Sequence, residues 1–214
     1  MGMNKIISVS MHFLDSSFDE AWKIIVEATR NESDKIKTLA EEMAEDLRNN
    51  PGFGFLLKLH KRQRKEVSFP SSYTFFCVNE ANNIAVVSDY FSTSYSTVGD
   101  ILFLSDNSAN PIIVIENCID KFLIYFLYRN EKIAESIIDK DVKYRGFDVK
   151  FDSDKLSEML HIDKAKIDSC YSKGWEETLE NFSKLFMIKG NITFQDVLKK
   201  KELYQYEERT IKIL

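Results

Sequence analysis

The stretch TFFCVNEANNIAVVS, Thr74 to Ser88, decides the fold. Two β-rich runs, Thr74 to Val78 and Ile84 to Ser88, flank Asn79-Glu80-Ala81-Asn82-Asn83. β-branched and aromatic side chains pack well on a pleated surface, and asparagine tolerates the backbone angles of a reversal. The spacing predicts an antiparallel hairpin. A second pair of strands is expected at Ile101 to Ser105 and Ile112 to Glu116. The segment Asp106-Asn107-Ser108-Ala109-Asn110-Pro111 joins them and is rich in turn formers. Between the two pairs, Tyr90 to Thr97 is rich in Ser, Thr and Tyr. It reads as an exposed loop, the kind of segment in which binding residues concentrate.

Toward the N-terminus, Ile7, Val9, Met11 and Phe13 alternate with Ser8, Ser10 and His12. Period two predicts a strand with one buried and one solvated face, and His12 falls on the solvated face. This strand is free to pair parallel or antiparallel with the central block. Ser17 and Glu20 match a capping box, which opens a helix through Trp22, Ile25 and Val26 to about Arg30. After Ser33, residues Ile36, Leu39, Met43 and Leu47 repeat at helical spacing. Their opposite face carries Glu41, Glu42, Glu45 and Asp46, and Asn50-Pro51-Gly52 ends the helix. Phe53 to Leu59 fits strand or helix. Lys58, Lys61, Arg62, Arg64 and Lys65 make the most basic stretch of the chain.

Toward the C-terminus, Ile119 to Tyr128 is apolar nearly all round, which predicts a buried helix. Ile133, Ala134, Ile137 and Ile138 extend the helical reading after a break near Asn130. A short extended piece is expected at Phe147 to Phe151. Ser153 is expected to cap a helix through Leu156 and Leu160. A longer helix after Ser172 carries Trp175, Leu179, Phe182 and Phe186 on one stripe and ends at Gly190-Asn191. Thr193 and Asp196 resemble a second capping box, and Ile211 to Leu214 reads as an edge strand. The elements add up to an α+β fold over residues 1–214. A mainly antiparallel sheet packs against helices from the N- and C-terminal parts, and 152–214 is readable as a helical subdomain.

Composition bounds the function. The 214 residues are 44% hydrophobic, enough for a sizeable core. A net charge of -5 gives no overall positive field of the kind that nonspecific nucleic-acid binding uses. Cys77, Cys118 and Cys170 are odd in number and lack CxxC spacing, which fits reduced thiols in a cytoplasmic protein. Ser8, Ser10 and His12 interrupt any signal-peptide core. The longest apolar run, Phe122 to Tyr128, is far short of the ~20 residues of a membrane span, so no membrane partner is expected. No P-loop, GxGxxG, HExxH, GxSxG or EF-hand motif is present, and the separated His and Cys residues write no local zinc site. No cofactor is expected.

Three sets of residues carry possible chemistry. Cys118, His161 and Asp163 offer a thiol, a base and an orienting carboxylate in chain order. Cys118 is expected at a strand-to-helix junction, where a helix N-terminus favours the thiolate. Asp100 and Glu116 flank successive expected strands, similar to metal-dependent nucleases that place an Asp and a Glu-x-Lys on adjacent strands. Here Cys118 stands where those enzymes carry the lysine. Finally, Phe69-Pro70-Ser71-Ser72-Tyr73, the strands after it, Gly99-Asp100 and the segment Ile119 to Leu127 resemble SUKH-type immunity proteins over about a quarter of the chain. The chain departs from that pattern before Pro70, where the basic stretch replaces a helix.

The favoured reading is a non-catalytic protein-binding module of inhibitor or immunity-protein type, which occludes a partner protein. Glu41, Glu42, Glu45 and Asp46, or Tyr90, Ser92 and Tyr95 of the polar loop, are the expected contact residues. The Lys, Ile, Asn and Phe usage suits an AT-rich bacterial or phage genome. The alternatives are a cysteine-dependent hydrolase or transferase using Cys118, His161 and Asp163, and a nucleic-acid-binding protein using the basic stretch 58–65. For that stretch a solvated linker is preferred.

Overall fold

The computed structural model describes residues 6–31, 38, 72–89, 105–106, 108–118, 121–129, 131–139, 153–171 and 175–212. Among the described residues seven strands form one sheet: β1 (Ile6–Phe13), β2 (Ser72–Glu80), β3 (Asn83–Ser88), β4 (Ile112–Cys118), β5 (Lys121–Tyr128), β6 (Glu131–Asp139) and β7 (Tyr206–Lys212). Their order is β6-β5-β4-β1-β3-β2-β7, and every pairing is antiparallel. The expected α+β architecture is present. β1 lies in the middle, between β3 and β4, with Phe13 opposite both Ile84 and Ile112. It has no parallel neighbour.

Helix α1 covers one face of this sheet. It is described over 18–31, and the Ser17–Glu20 box opens it as expected. Phe18, Ala21, Trp22 and Ile25 repeat at three- and four-residue spacing, so one stripe packs against Val9, Met11, Phe13, Phe75 and Val86. The opposite face carries α2 (Ser153–Leu160), α3 (Lys164–Asp168), α4 (Trp175–Phe186) and α5 (Phe194–Lys199). Leu156, Ile167, Leu179, Phe182 and Phe186 meet Ile113, Ile115, Ile124 and Phe126 there. Farther along the same face, Val197 and Ile192 meet Phe76, Val78, Ala85 and Val87. The sheet is thus the middle of three layers.

That layering explains the main departures from the sequence reading. Ile119 to Tyr128 was expected as a helix, but β5 occupies Lys121–Tyr128. The segment around Ile133 to Ile138 is likewise strand β6. β5 is covered on both faces and needs no polar residue at alternate positions, so its composition imitates that of a buried helix. Leu123, Tyr125 and Leu127 face the α1 side, while Ile124 and Phe126 face the C-terminal helices. The second strand pair also changes: β4 pairs with β1 and β5, and Ser105 is helical.

The β2–β3 connection is tighter than the five-residue loop expected. Only Ala81 and Asn82 lie between the strands, with Ala81 at φ 60. Helix α4 ends at Phe186, before the expected Gly190-Asn191. Met187 takes φ 53, and the N–H groups of Ile188 and Met187 donate to the carbonyls of Ser183 and Lys184. That is the Schellman pattern, with methionine at the left-handed position. Thr193 and Asp196 form the second capping box in full. β7 is an edge strand, but it begins at Tyr206 rather than Ile211. The acidic helix face at Glu41 to Asp46, the piece Phe53 to Leu59, the basic stretch 58–65, the loop Tyr90 to Thr97 and the piece Phe147 to Phe151 lie outside the described residues.

Candidate functional site

The alternating polar residues of β1 are not solvated. Ser8 and Ser10 are buried, and His12 is 0% exposed. They belong to the face covered by the C-terminal helices, because their partners there are Ile113, Ile115, Ala85 and Val87. A polar strip therefore runs between two apolar clusters on that face.

The strip contains a hydrogen-bonded line. Ser10 Oγ lies 3.0 Å from His12 Nε2, and His12 Nδ1 lies 2.7 Å from Glu80 Oε2. Period two puts Ser10 and His12 on the same side of β1, and β3 separates β1 from β2, which supplies Glu80. With Glu80 ionised, Nδ1–H donates to its carboxylate, and Nε2 of the neutral ring accepts the Ser10 hydroxyl. The other Glu80 oxygen accepts the backbone N–H of Lys189 at 2.6 Å. Asn83 completes the site: its Nδ2 donates to the carbonyls of Phe186 and Met187, and its Oδ1 accepts the N–H of Asp15. One short hairpin thus ties β1 to the turn after α4.

The order hydroxyl, imidazole, carboxylate is that of a nucleophilic triad. Its surroundings differ from those of a working one. Ser10 and His12 are 0% exposed and Glu80 is 3% exposed. Both ring nitrogens and both carboxylate oxygens already have protein partners. The arrangement can orient and lock the elements it joins. It presents no atom to a molecule arriving from solvent.

The cysteine set falls elsewhere. Cys118 ends β4, opposite Ile6, and the next described element is strand β5 at Lys121 rather than the expected helix. His161 is exposed in the α2–α3 connection with φ 53. The Asp163 carboxylate caps α3 by accepting the Ala165 N–H at 2.9 Å. Glu116 is buried on β4, on the face toward α1, opposite Val9 and Leu123. Asp100 lies outside the described residues. Cys77 and Cys170 are free and buried. Burial pushes the Cys77 thiol up to about 12, against a smaller lowering by Arg209, and also raises that of Cys170. Thiols held protonated in this way are poor nucleophiles.

Sequence reasoning missed Glu80 and Asn83 by counting them as turn residues, and it placed His12 in water. One signal pointed the other way. The runs Phe75 to Val78, Ile84 to Val87 and Ile112 to Ile115 have no polar alternation, which is the mark of strands covered on both faces. A central β1 then has no solvated face to offer His12. A shallow groove of about 520 Å3 also opens beside the end of α4, lined by Leu179, Ser183, Met187 and Gly190. Among the described residues no group of His, Cys, Asp and Glu is arranged to hold a metal ion, and no helix is long and apolar enough to cross a membrane. The SUKH-like order of elements fails at Lys121 to Leu127, which is strand rather than helix. The chain matches no protein-family model, no curated protein and no solved structure.

Proposed function

We propose that the chain is a non-catalytic protein-binding module, of the inhibitor or immunity-protein type, that engages its partner through its surface. One observation carries this reading: the triad-like line Ser10–His12–Glu80 is sealed, and its polar atoms are engaged within the protein. A catalytic nucleophile needs an approach path and a free site for the developing charge. A buried and fully bonded network instead fixes a unique arrangement of the layers around it. A rigid three-layer body of this kind suits a protein that presents a preformed surface.

The test has two arms. The native protein is treated with a fluorophosphonate, and its intact mass is measured. No adduct at Ser10 is expected, and an adduct that disappears in Ser10→Ala overturns the reading. In the second arm, a protein retained by the immobilised chain is purified and titrated into it by calorimetry. Saturable 1:1 binding, unchanged in the Ser10→Ala variant, is the expected result. Turnover of a substrate by the purified chain alone sinks the proposal.

A further inference from the structure

β7 ends the sheet, and among the described residues it pairs with β2 alone. Its open side can be assigned residue by residue. The Asn79 N–H donates to the Gln205 carbonyl at 2.8 Å, so the backbone groups of Gln205 point at β2. In an antiparallel ladder this direction alternates. Glu207, Arg209 and Ile211 therefore direct their backbone groups at β2, while Tyr206, Glu208, Thr210 and Lys212 direct theirs at the open edge. Glu208, Thr210 and Lys212 are exposed. An uncovered row of donors and acceptors is a template for another strand.

The side chains restrict which strand fits. β7 is acidic in its first half, at Glu207 and Glu208, and basic in its second, at Arg209 and Lys212. An antiparallel second copy reverses that order and sets acid against base. The alternation of backbone groups leaves three registers that pair at least five residues of β7 with themselves. Centred on Glu208, the register puts Glu208 against Glu208. Centred on Arg209, it puts Arg209 against Arg209. Centred on Thr210, it sets Glu208 against Lys212 twice, Arg209 against Ile211 twice, and Thr210 against Thr210. Only the last avoids like charges directly opposite one another, and threonine pairs are favourable across strands.

We propose that this edge is a self-association surface, on which two copies pair antiparallel through β7 about a two-fold axis at Thr210 and join two seven-stranded sheets into one. The occupant is a second copy of this chain, and the charge order of β7 selects it. The existing partners of these side chains do not oppose the pairing. Lys201 reaches Glu208 only at 3.8 Å in an exposed pair, which is worth little. Arg209 is held on the α1 side by Asp19 at 3.1 Å, with its guanidinium over the Trp22 ring. The proposal is separate from the foreign partner proposed above, and either one stands if the other fails.

Sedimentation of the full chain tests it. A short edge buries less than a standard interface, so a dimer with a Kd of about 100 µM is expected. Glu208→Lys sets Lys against Lys212, and Lys212→Glu sets Glu against Glu208. Each is expected to weaken dimerisation about tenfold, with circular dichroism unchanged. The double variant Glu208→Lys/Lys212→Glu restores the opposed pair and is expected to restore the dimer. A chain that stays monomeric to about 1 mM, a dimer that either single reversal leaves intact, or a double variant that fails to re-associate overturns the proposal.

Discussion

His12 and Glu80 concentrate the polar energetics of this protein in one place. Each is a buried ionisable side chain held by the other at 2.7 Å. Removing His12 leaves a buried carboxylate without its imidazole, which typically costs about 3–5 kcal/mol, and removing Glu80 leaves a buried imidazole N–H unsatisfied, which costs about 1–3 kcal/mol. Glu80→Ala also frees the buried end of the Lys189 N–H bond. Urea titration is expected to show the larger loss for His12→Ala and the smaller for Glu80→Ala. The double variant is expected to lose clearly less than the sum, because the two changes remove one shared interaction. Additive losses would show that the pair is not coupled. The polar line also separates two apolar clusters, so it restricts how the C-terminal helices settle on the sheet.

At the scale of elements, the helix ends hold two separable devices. At the start of α1, the Ser17 backbone N–H and then its hydroxyl hold the Glu20 carboxyl below its ordinary value of 4.5. The unfolded chain takes up that proton at higher pH than the folded one. The stabilisation is therefore complete above the ordinary carboxyl range and is lost as pH falls through the folded value. The gap in thermal midpoint between the wild type and Glu20→Gln is expected to narrow as pH falls from about 7 to about 3. At the end of α4, Met187 occupies a left-handed position that glycine takes without steric cost, and the residue is 60% exposed. Met187→Gly is expected to stabilise the protein by about 1 kcal/mol, read as a higher midpoint in urea. Gly190, at φ 70, is already the residue its site requires: a Cβ there would lie 2.8 Å from Ser183 Oγ.

For the whole molecule, the strand order decides which parts open last. β1 lies at the centre of the sheet, flanked by β3 and β4 and covered by helices on both faces. Hydrogen exchange is expected to be slowest in β1, β3 and β4 and faster in β7, the edge with many exposed residues. Equal protection across the sheet would contradict a core centred on β1. Local chemistry alone determined much of this architecture. The central hairpin, both capping boxes and the α1 stripe follow from turn residues, short-range hydrogen bonds and periodicity, none of which needs knowledge of distant contacts. The tertiary structure decided the rest. β5 is a strand because neighbours on both sides supply its hydrogen bonds and layers on both faces bury its side chains, so its composition carries no period to read. His12 is buried because β1 became the middle strand, and its partner stands 68 residues away in the chain. Sequence spacing reports which residues share a face; only the assembled layers report what covers that face.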